Sequence, residues 1–325
     1  MRGHVWCGLF ASLCVAMLPQ HANAQTWKPQ RNVEIIVPSG PGSAVDLTTR
    51  ELQRRMQTLG MTDVSVTNKV GGAGALAWSY MNTHQGDAHY LATTLGNLLT
   101  NPITGAHPLT YKDITPVALL FTDYITFTVR ADSPMKSGAD FVNRLKKDPT
   151  SVSIGIPTAL GGLSHTVIGA VMKPAGVDAR KLRIVVFKGG GDAGTALLGG
   201  HIDIVASAPQ AFLGHLKSNA VRMIAVNAPQ RQAGELASVP TWQEQGYPGI
   251  VSNWRGVLAP RGLSAAQLDY WENTFQRITG ADDWKAYVEK NVSEPRFMKS
   301  AEFRAYLDEQ DKILRGVLAD LGLAK

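Results

Sequence analysis

The chain moves between two hydrophobic rhythms over most of its length. Short runs rich in Val and Ile predict strands: "VEIIVP" at 33–38, "VSVTNK" at 64–69, "HYLATT" at 89–94, "VSIGIP" at 152–157, "LRIVVFK" at 182–188, "IDIVAS" at 202–207 and "VRMIAVN" at 221–227. Loops and helix-like stretches separate them. After the first strand Val45, Leu52, Met56 and Leu59 fall on one helical face, and the run 264–323 is mostly helical. Tyr270, Trp271, Phe275, Ile278, Tyr306, Ile313 and Val317 are its inward candidates. Alternating strand and helix predict largely parallel sheets with helices on both faces. Two successive sets of such units predict two lobes. "LLFTDYITFTVRADSP" at 119–134 is β-rich without a helix, as a strand crossing between lobes would be.

The first 24 residues break this rhythm. Arg2 is their only charged residue, "CGLFASLCVAML" is an apolar run of 12, and Ala22 and Ala24 precede Gln25. That order predicts a secretory signal peptide, residues 1–24, and a periplasmic mature chain. The run is too short for a membrane anchor, which needs roughly 20 residues. Cys7 and Cys14, the only cysteines, both lie within it, so the mature chain has no thiol chemistry and no disulfide. Its formal charge falls from +6 to +5, because only Arg2 is lost. The remaining basic residues are dispersed, with Arg180, Lys181 and Arg183 the densest group. Nucleic-acid binders concentrate charge and interleave aromatics, so no nucleic-acid partner is expected.

Catalytic signatures are weak. "GGGDAG" at 189–194 fits G-x-G-x-x-G, but Asp203 follows after about nine residues where the dinucleotide fingerprint needs roughly 20. "GLSHT", with Ser164 and His165, lacks the second glycine of a nucleophile elbow. His84 and His89 are five apart, off helical ligand spacing, so neither a metal nor a cofactor is expected. What remains is a set of Gly-, Ser- and Thr-rich loops at strand ends: 39–45, 71–75, 93–97, 158–164 and 189–192. In open parallel sheets such ends line the ligand crevice. Bare N–H groups at a glycine-rich helix start suit an anion. Donors without acid–base pairs suit recognition rather than reaction.

The loops also carry a resemblance. "VPSGPGSAVDLTTR", "TNKVGGAGALA", "DITPVALL", "GIPTALGGLSH", "FKGGGDAGTALLGGHIDI", "VRMIAVNAPQR", "VPTWQEQGYPG" and "WRGVLAP" follow one another as in the periplasmic solute-binding receptors of tripartite tricarboxylate transporters, the Bug family, which the mature chain resembles over nearly its whole length. The resemblance implies two Rossmann-like α/β lobes with mixed or parallel sheets joined by crossing strands, like type II periplasmic binding proteins, with a cleft between them. Lobe 1 would be 27–126 plus 246–325, and lobe 2 would be 127–245. It implies a small organic carboxylate as ligand, membrane transporter subunits as partners, and a monomer. The implied contacts are Gly40, Gly42, Ser43, Gly72, Ala73 and Gly74 from lobe 1. From lobe 2 they are Thr158, Gly162, Ser164, His165 and Ser207. Asp46 and Arg50 match the family as capping and pairing residues. Val37 stands where the family has an aromatic and Val70 where it has proline; Pro41, Ser43 and Leu160 also depart. These changes at the mouth leave aliphatic di- or tricarboxylates, amino acids and aromatic acids all open. An exported sensor subunit is the alternative role, and an esterase-like hydrolase using Ser164 a weaker one.

Overall fold

Every predicted strand forms, each one or two residues shorter than its hydrophobic run. The computed structural model describes residue 3 and residues 27–325 apart from 62, 95 and 158; the expected signal peptide, residue 3 apart, lies outside the described residues. Strands β1 (Val33–Val37), β2 (Val64–Asn68) and β3 (Tyr90–Thr93) alternate with helices α1 (Ala44–Thr58) and α2 (Ala75–Asn82), and α3 (Asn97–Thr104) follows. β4 (Thr115–Asp123) ends the first series. The second series runs β5 (Thr126–Arg130), α4 (Gly138–Lys147), β6 (Ser153–Pro157), α5 (Leu163–Met172), β7 (Arg183–Phe187), α6 (Gly190–Leu198), β8 (Ile204–Ser207), α7 (Leu213–Lys217) and β9 (Val221–Val226). The chain then returns through β10 (Asn253–Ala259), α8 (Ala265–Gly280), α9 (Asp282–Lys290), β11 (Glu294–Lys299) and α10 (Ser300–Asp320).

These strands form two mixed sheets, ordered β11-β4-β10-β3-β1-β2 and β7-β6-β8-β5-β9. The 119–134 stretch is therefore two strands. β4 and β5 belong to different sheets, and only Tyr124 and Ile125 separate them. The return crossing is fastened to this one by Asn227. Its N–H donates to Ile125 O (2.8 Å), its amide nitrogen donates to Gly249 O (2.7 Å), and its Oδ1 accepts from Val251 N (2.9 Å).

Register decides where the loops emerge. β1 is parallel to β2 and β3, with Val37 opposite Asn68 and Ile36 opposite Ala92, so the chain leaves the first sheet at 38, 69 and 94 along one edge. β6 is parallel to β7 and β8, with Pro157 opposite Phe187 and Gly155 opposite Val205. The loops after Pro157 and Phe187, together with Ser207, thus share one edge of the second sheet.

The two sheets are joined by packing as well as by strands. Val167 and Ile168 of α5 belong to one continuous hydrophobic core with Leu98, Leu99 and Ile103 of α3 and Leu314 and Leu318 of α10. Leu321 lies against Gly169, while Leu318 and Leu323 approach Gly161. Lys173 and Asp320 pair across the same seam at 2.6 Å, and Lys325 N donates to Ile103 O (2.9 Å). On α1, Val45, Leu52 and Met56 are buried as the periodicity predicts. Leu59, predicted on the same face, caps the helix C-terminus and is 36% exposed, since the helix has ended and the face no longer continues.

Candidate functional site

At the first loop the sequence spends most of its donors on itself. Ser43 caps α1, its Oγ accepting from Asp46 N (3.2 Å) and lying 2.6 Å from Ser39 Oγ. Gly42 N donates to Asp46 Oδ2 (2.8 Å), Arg50 Nε to the same oxygen (3.0 Å), and Asn68 Nδ2 to Asp46 Oδ1 (2.9 Å). Burial pushes the Asp46 carboxyl up, but Arg50, the Gly42 amide and Asn68 together hold it below the usual range. Asp46 is thus the post on which the loop hangs, and Asn68 ties it to the end of β2. Gly40 is half-buried beside it. Of this loop's predicted contacts, the Gly42 N–H and the Ser43 hydroxyl are committed internally. The Ala44 and Val45 amides, in the first turn of α1, have no intrahelical acceptor.

The second loop is a tight 3-10 turn over Gly72–Gly74 in which Gly72, Ala73 and Gly74 all have positive φ, at 55°, 50° and 97°. The turn folds Gly74 N onto Gly71 O (3.0 Å) and Ala75 N onto Gly72 O. The Gly72 and Ala73 amides have no acceptor among the described residues. Asn101 of α3 holds the turn from the other side, its Nδ2 donating to Gly72 O (3.1 Å) and Ala73 O (3.4 Å).

The lobe-2 loop packs on the same helix. Leu163 lies against Gly96 at the start of α3, and Gly161 lies against Thr104 at its end. α3 has eight residues and so is about 12 Å long. The 72–74 turn and the 159–165 loop therefore meet along one short helix. Gly162 is the N-cap of α5, in extended conformation, and Ser164 and His165 are buried in its first turn. Thr158 lies outside the described residues. Ser207, fully buried, ends β8; its hydroxyl donates to Ala208 O (3.3 Å), and its carbonyl accepts from Thr126 Oγ1 (3.1 Å).

His165 has a defined tautomer. Gly161 N donates to its Nδ1 (3.0 Å), so Nε2 carries the proton and is a neutral donor. Burial pushes its pKa below the ordinary value. An unfolded histidine takes up a proton near pH 6.5, so His165 costs no stability above that pH. Below it the unfolded chain binds the proton more readily, and stability falls until the lower folded pKa is passed, by up to about 1.4 kcal/mol per pH unit. Thermal melts from pH 7.5 to 5 should fall less steeply in His165→Gln, whose side-chain oxygen can still accept from Gly161. Parallel curves would show that His165 does not titrate in this way.

Sequence reasoning gave no role to the supports: Asn68, although it stands in the quoted "TNKVGGAGALA", and Asn101, which acts from another element and carries no local motif. It also missed a cavity of about 40 Å³ beside the first turn of α1, lined by Leu47, Thr48, Asp123, Arg255 and Gln210 among others. That space suits a few water molecules. Within it Arg255 pairs with Asp123 at 3.3 Å, and Gln210 reaches across to donate to Asn291 O (2.7 Å). Among the described residues no group of His, Asp and Glu side chains is arranged to hold a metal, and no helix is long and apolar enough to cross a membrane.

Two mixed α/β sheets with loops facing each other across a seam define the class of two-lobed binding proteins. Solved structures agree. A protein of R. palustris solved with adipate superposes with a TM-score of 0.81 at 23% identity, over 91% of this chain and 99% of that one. MatC of Rhodopseudomonas palustris, solved with bound malate, gives 0.77 at 22% identity, over 90% and 100%. The family model described as "Tripartite tricarboxylate transporter family receptor" matches residues 48–323. The chain belongs to that family. Curated relatives include the protein BugT of Bordetella pertussis, 26% identical over 97% of this chain and 96% of its own. A UPF0065 protein of Agrobacterium vitis is 31% identical over 78% and 72%.

Proposed function

We propose that this chain is a periplasmic receptor that captures a small organic carboxylate and hands it to the membrane subunits of a tripartite tricarboxylate transporter. In this reading residues 1–24 are removed on export. The mature monomer then binds its ligand, without a cofactor, between a lobe of 27–126 plus 246–325 and a lobe of 127–245. The observation that carries the reading is the pair of amides at Gly72 and Ala73 with no acceptor among the described residues, set on the same helix that the 159–165 loop covers. Family membership and relatives solved with adipate and malate support the ligand class. Ser164 acts here as a hydroxyl contact rather than a nucleophile, since Gly161 already occupies the Nδ1 of the neighbouring His165.

Hydrogen bonds from N–H to a charged oxygen are about twice as strong as neutral ones. Calorimetric titration of residues 25–325 against a carboxylate panel and the matching methyl esters tests the reading. The acids that bind should lose at least a hundredfold on esterification. Esters that bind as tightly as their acids, or a panel in which nothing binds, would overturn it.

A further inference from the structure

The turn joining α9 to β11 is built against its own local preference. α9 ends in a Schellman closure, with Val292 N donating to Glu289 O (2.8 Å) and Ser293 N to Val288 O (3.1 Å). The residue at 292 must then take a left-handed backbone, where glycine is usual because it has no Cβ. A β-branched valine holds the position instead, at φ 54°, and such a residue is strained there. What offsets the strain lies across the seam. α9 and β11 pack with the first sheet, the helix through Trp284 and Val288. Val292 is only 6% exposed, yet it belongs to the hydrophobic core of the second sheet, with Tyr124, Leu197 and Phe212. Among the described residues it is the one member of that core from beyond Val239.

The second sheet's loops also hold this turn by hydrogen bonds. Gln210, in the 3-10 turn Pro209–Phe212 after β8, donates through Nε2 to Asn291 O (2.7 Å) and Ser293 Oγ (3.3 Å). Tyr124, in the crossing, donates to Glu294 Oε2 (2.8 Å). The contact is small beside the seam of α3, α5 and α10, where aliphatic side chains form one continuous core. It is also imperfect. The cavity of about 40 Å³ adjoins it, and two oxygens of its lining residues, Asp123 Oδ1 and Gln210 Oε1, are buried with no donor among the described residues. Parting the lobes would let water reach both, which recovers part of what the broken contact loses. Ala44, Leu47 and Thr48 of α1 line the same cavity, so the contact stands beside the first loop of the site.

We infer that the 291–293 turn is a releasable latch between the lobes. It is seated in the second lobe by Val292 and Gln210, and it lets go when the lobes part about the α3–α5–α10 seam. Residues 25–325 contain no cysteine. Spin labels at Ser218→Cys and Gln276→Cys, exposed positions after α7 and on α8, therefore report the distance between lobes with no ligand present. In the parent this pair should give one narrow distribution. Gln210→Ala and, separately, Val292→Gly should broaden it about twofold or add a second distance, as a two-state hinge does. A pair spanning the first sheet, Gln276→Cys with Lys312→Cys, should stay unchanged in both variants. An unchanged inter-lobe distribution in either variant would overturn the latch. In Val292→Gly it would come with a higher melting temperature, because glycine relieves the end of α9 and the turn would then serve only its own helix. A parent that already spans both distances, or a first-lobe pair that broadens as well, would also overturn it. If Val292→Gly fails to fold, Gln210→Ala alone decides.

Discussion

Gly72→Asp is expected to weaken carboxylate binding by about two to four powers of ten. The Gly72 and Ala73 amides have no acceptor among the described residues, and each hydrogen bond to a charged group is worth roughly 1.5–3 kcal/mol. Losing both corresponds to that range at about 1.4 kcal/mol per power of ten. The introduced carboxylate can occupy the amides itself and repel the incoming anion. The fold would tolerate this change at little cost only if φ at Gly72 were not positive. It is positive, at 55°, and a Cβ there would stand 3.2 Å from that of Ala75. A left-handed residue other than glycine costs about 1–2 kcal/mol, with Asp among the better tolerated. Gly72→Ala carries the backbone cost without the charge. Calorimetry and melts of both variants separate the two effects. If Gly72→Asp binds like the parent, this turn is not the anion grip.

Gly74→Ala should be the more damaging change to the fold, costing about 2–5 kcal/mol. Its φ is 97°, and a Cβ would fall 2.7 Å from Cη2 of Trp78. That indole is buried and donates to Thr93 O at 3.2 Å, so it cannot swing aside without leaving both its packing and its bond. Overpacking costs typically 1–3 kcal/mol, and forced positive φ adds a comparable amount. The adjacent Ala73→Gly should act in the opposite direction, gaining a few tenths to about 1 kcal/mol. Ala73 already sits at φ 50° and would be relieved. Urea unfolding of the pair measures both. A loss under about 1 kcal/mol in Gly74→Ala would mean that Trp78 is not fixed as described.

How much of this was legible in the sequence depended on whether the cause was local. β1, β6 and β8 are apolar runs buried in sheet interiors, and such runs announce themselves. β10 did not, because Arg255 and Gly256 interrupt it. Only the structure supplies Asp123 to neutralise Arg255, and the contact with Phe303 that leaves room only for glycine at 256. β11 reads as polar (Glu294, Pro295, Arg296, Lys299) because it is an edge strand with one neighbour. The loops of the site were visible through their glycines. Their conformations were not: nothing in an alanine at 73 discloses a left-handed backbone, which Asn101 helps to hold from 28 residues away. The internal use of Gly42 N–H and Ser43 Oγ was likewise hidden, because it depends on where the buried Asp46 carboxylate points.

The position of β10 has a consequence for the order in which the molecule can assemble. β10 lies between β3 and β4, bonded to both, yet it begins 163 residues after β3 begins. As the chain emerges from a ribosome, β1 to β4 cannot form one sheet, because the middle strand does not yet exist. The second sheet, by contrast, is encoded without interruption from β5 to β9 and is complete by Val226. Domains ordinarily fold in the order of synthesis; here the N-terminal one must wait. β1, β2 and β3 can pair with one another, but β4 and the open edge of β3 stay unpaired until the last quarter of the chain is available. The nascent protein therefore offers a long interval in which holding chaperones can bind it before the first sheet closes.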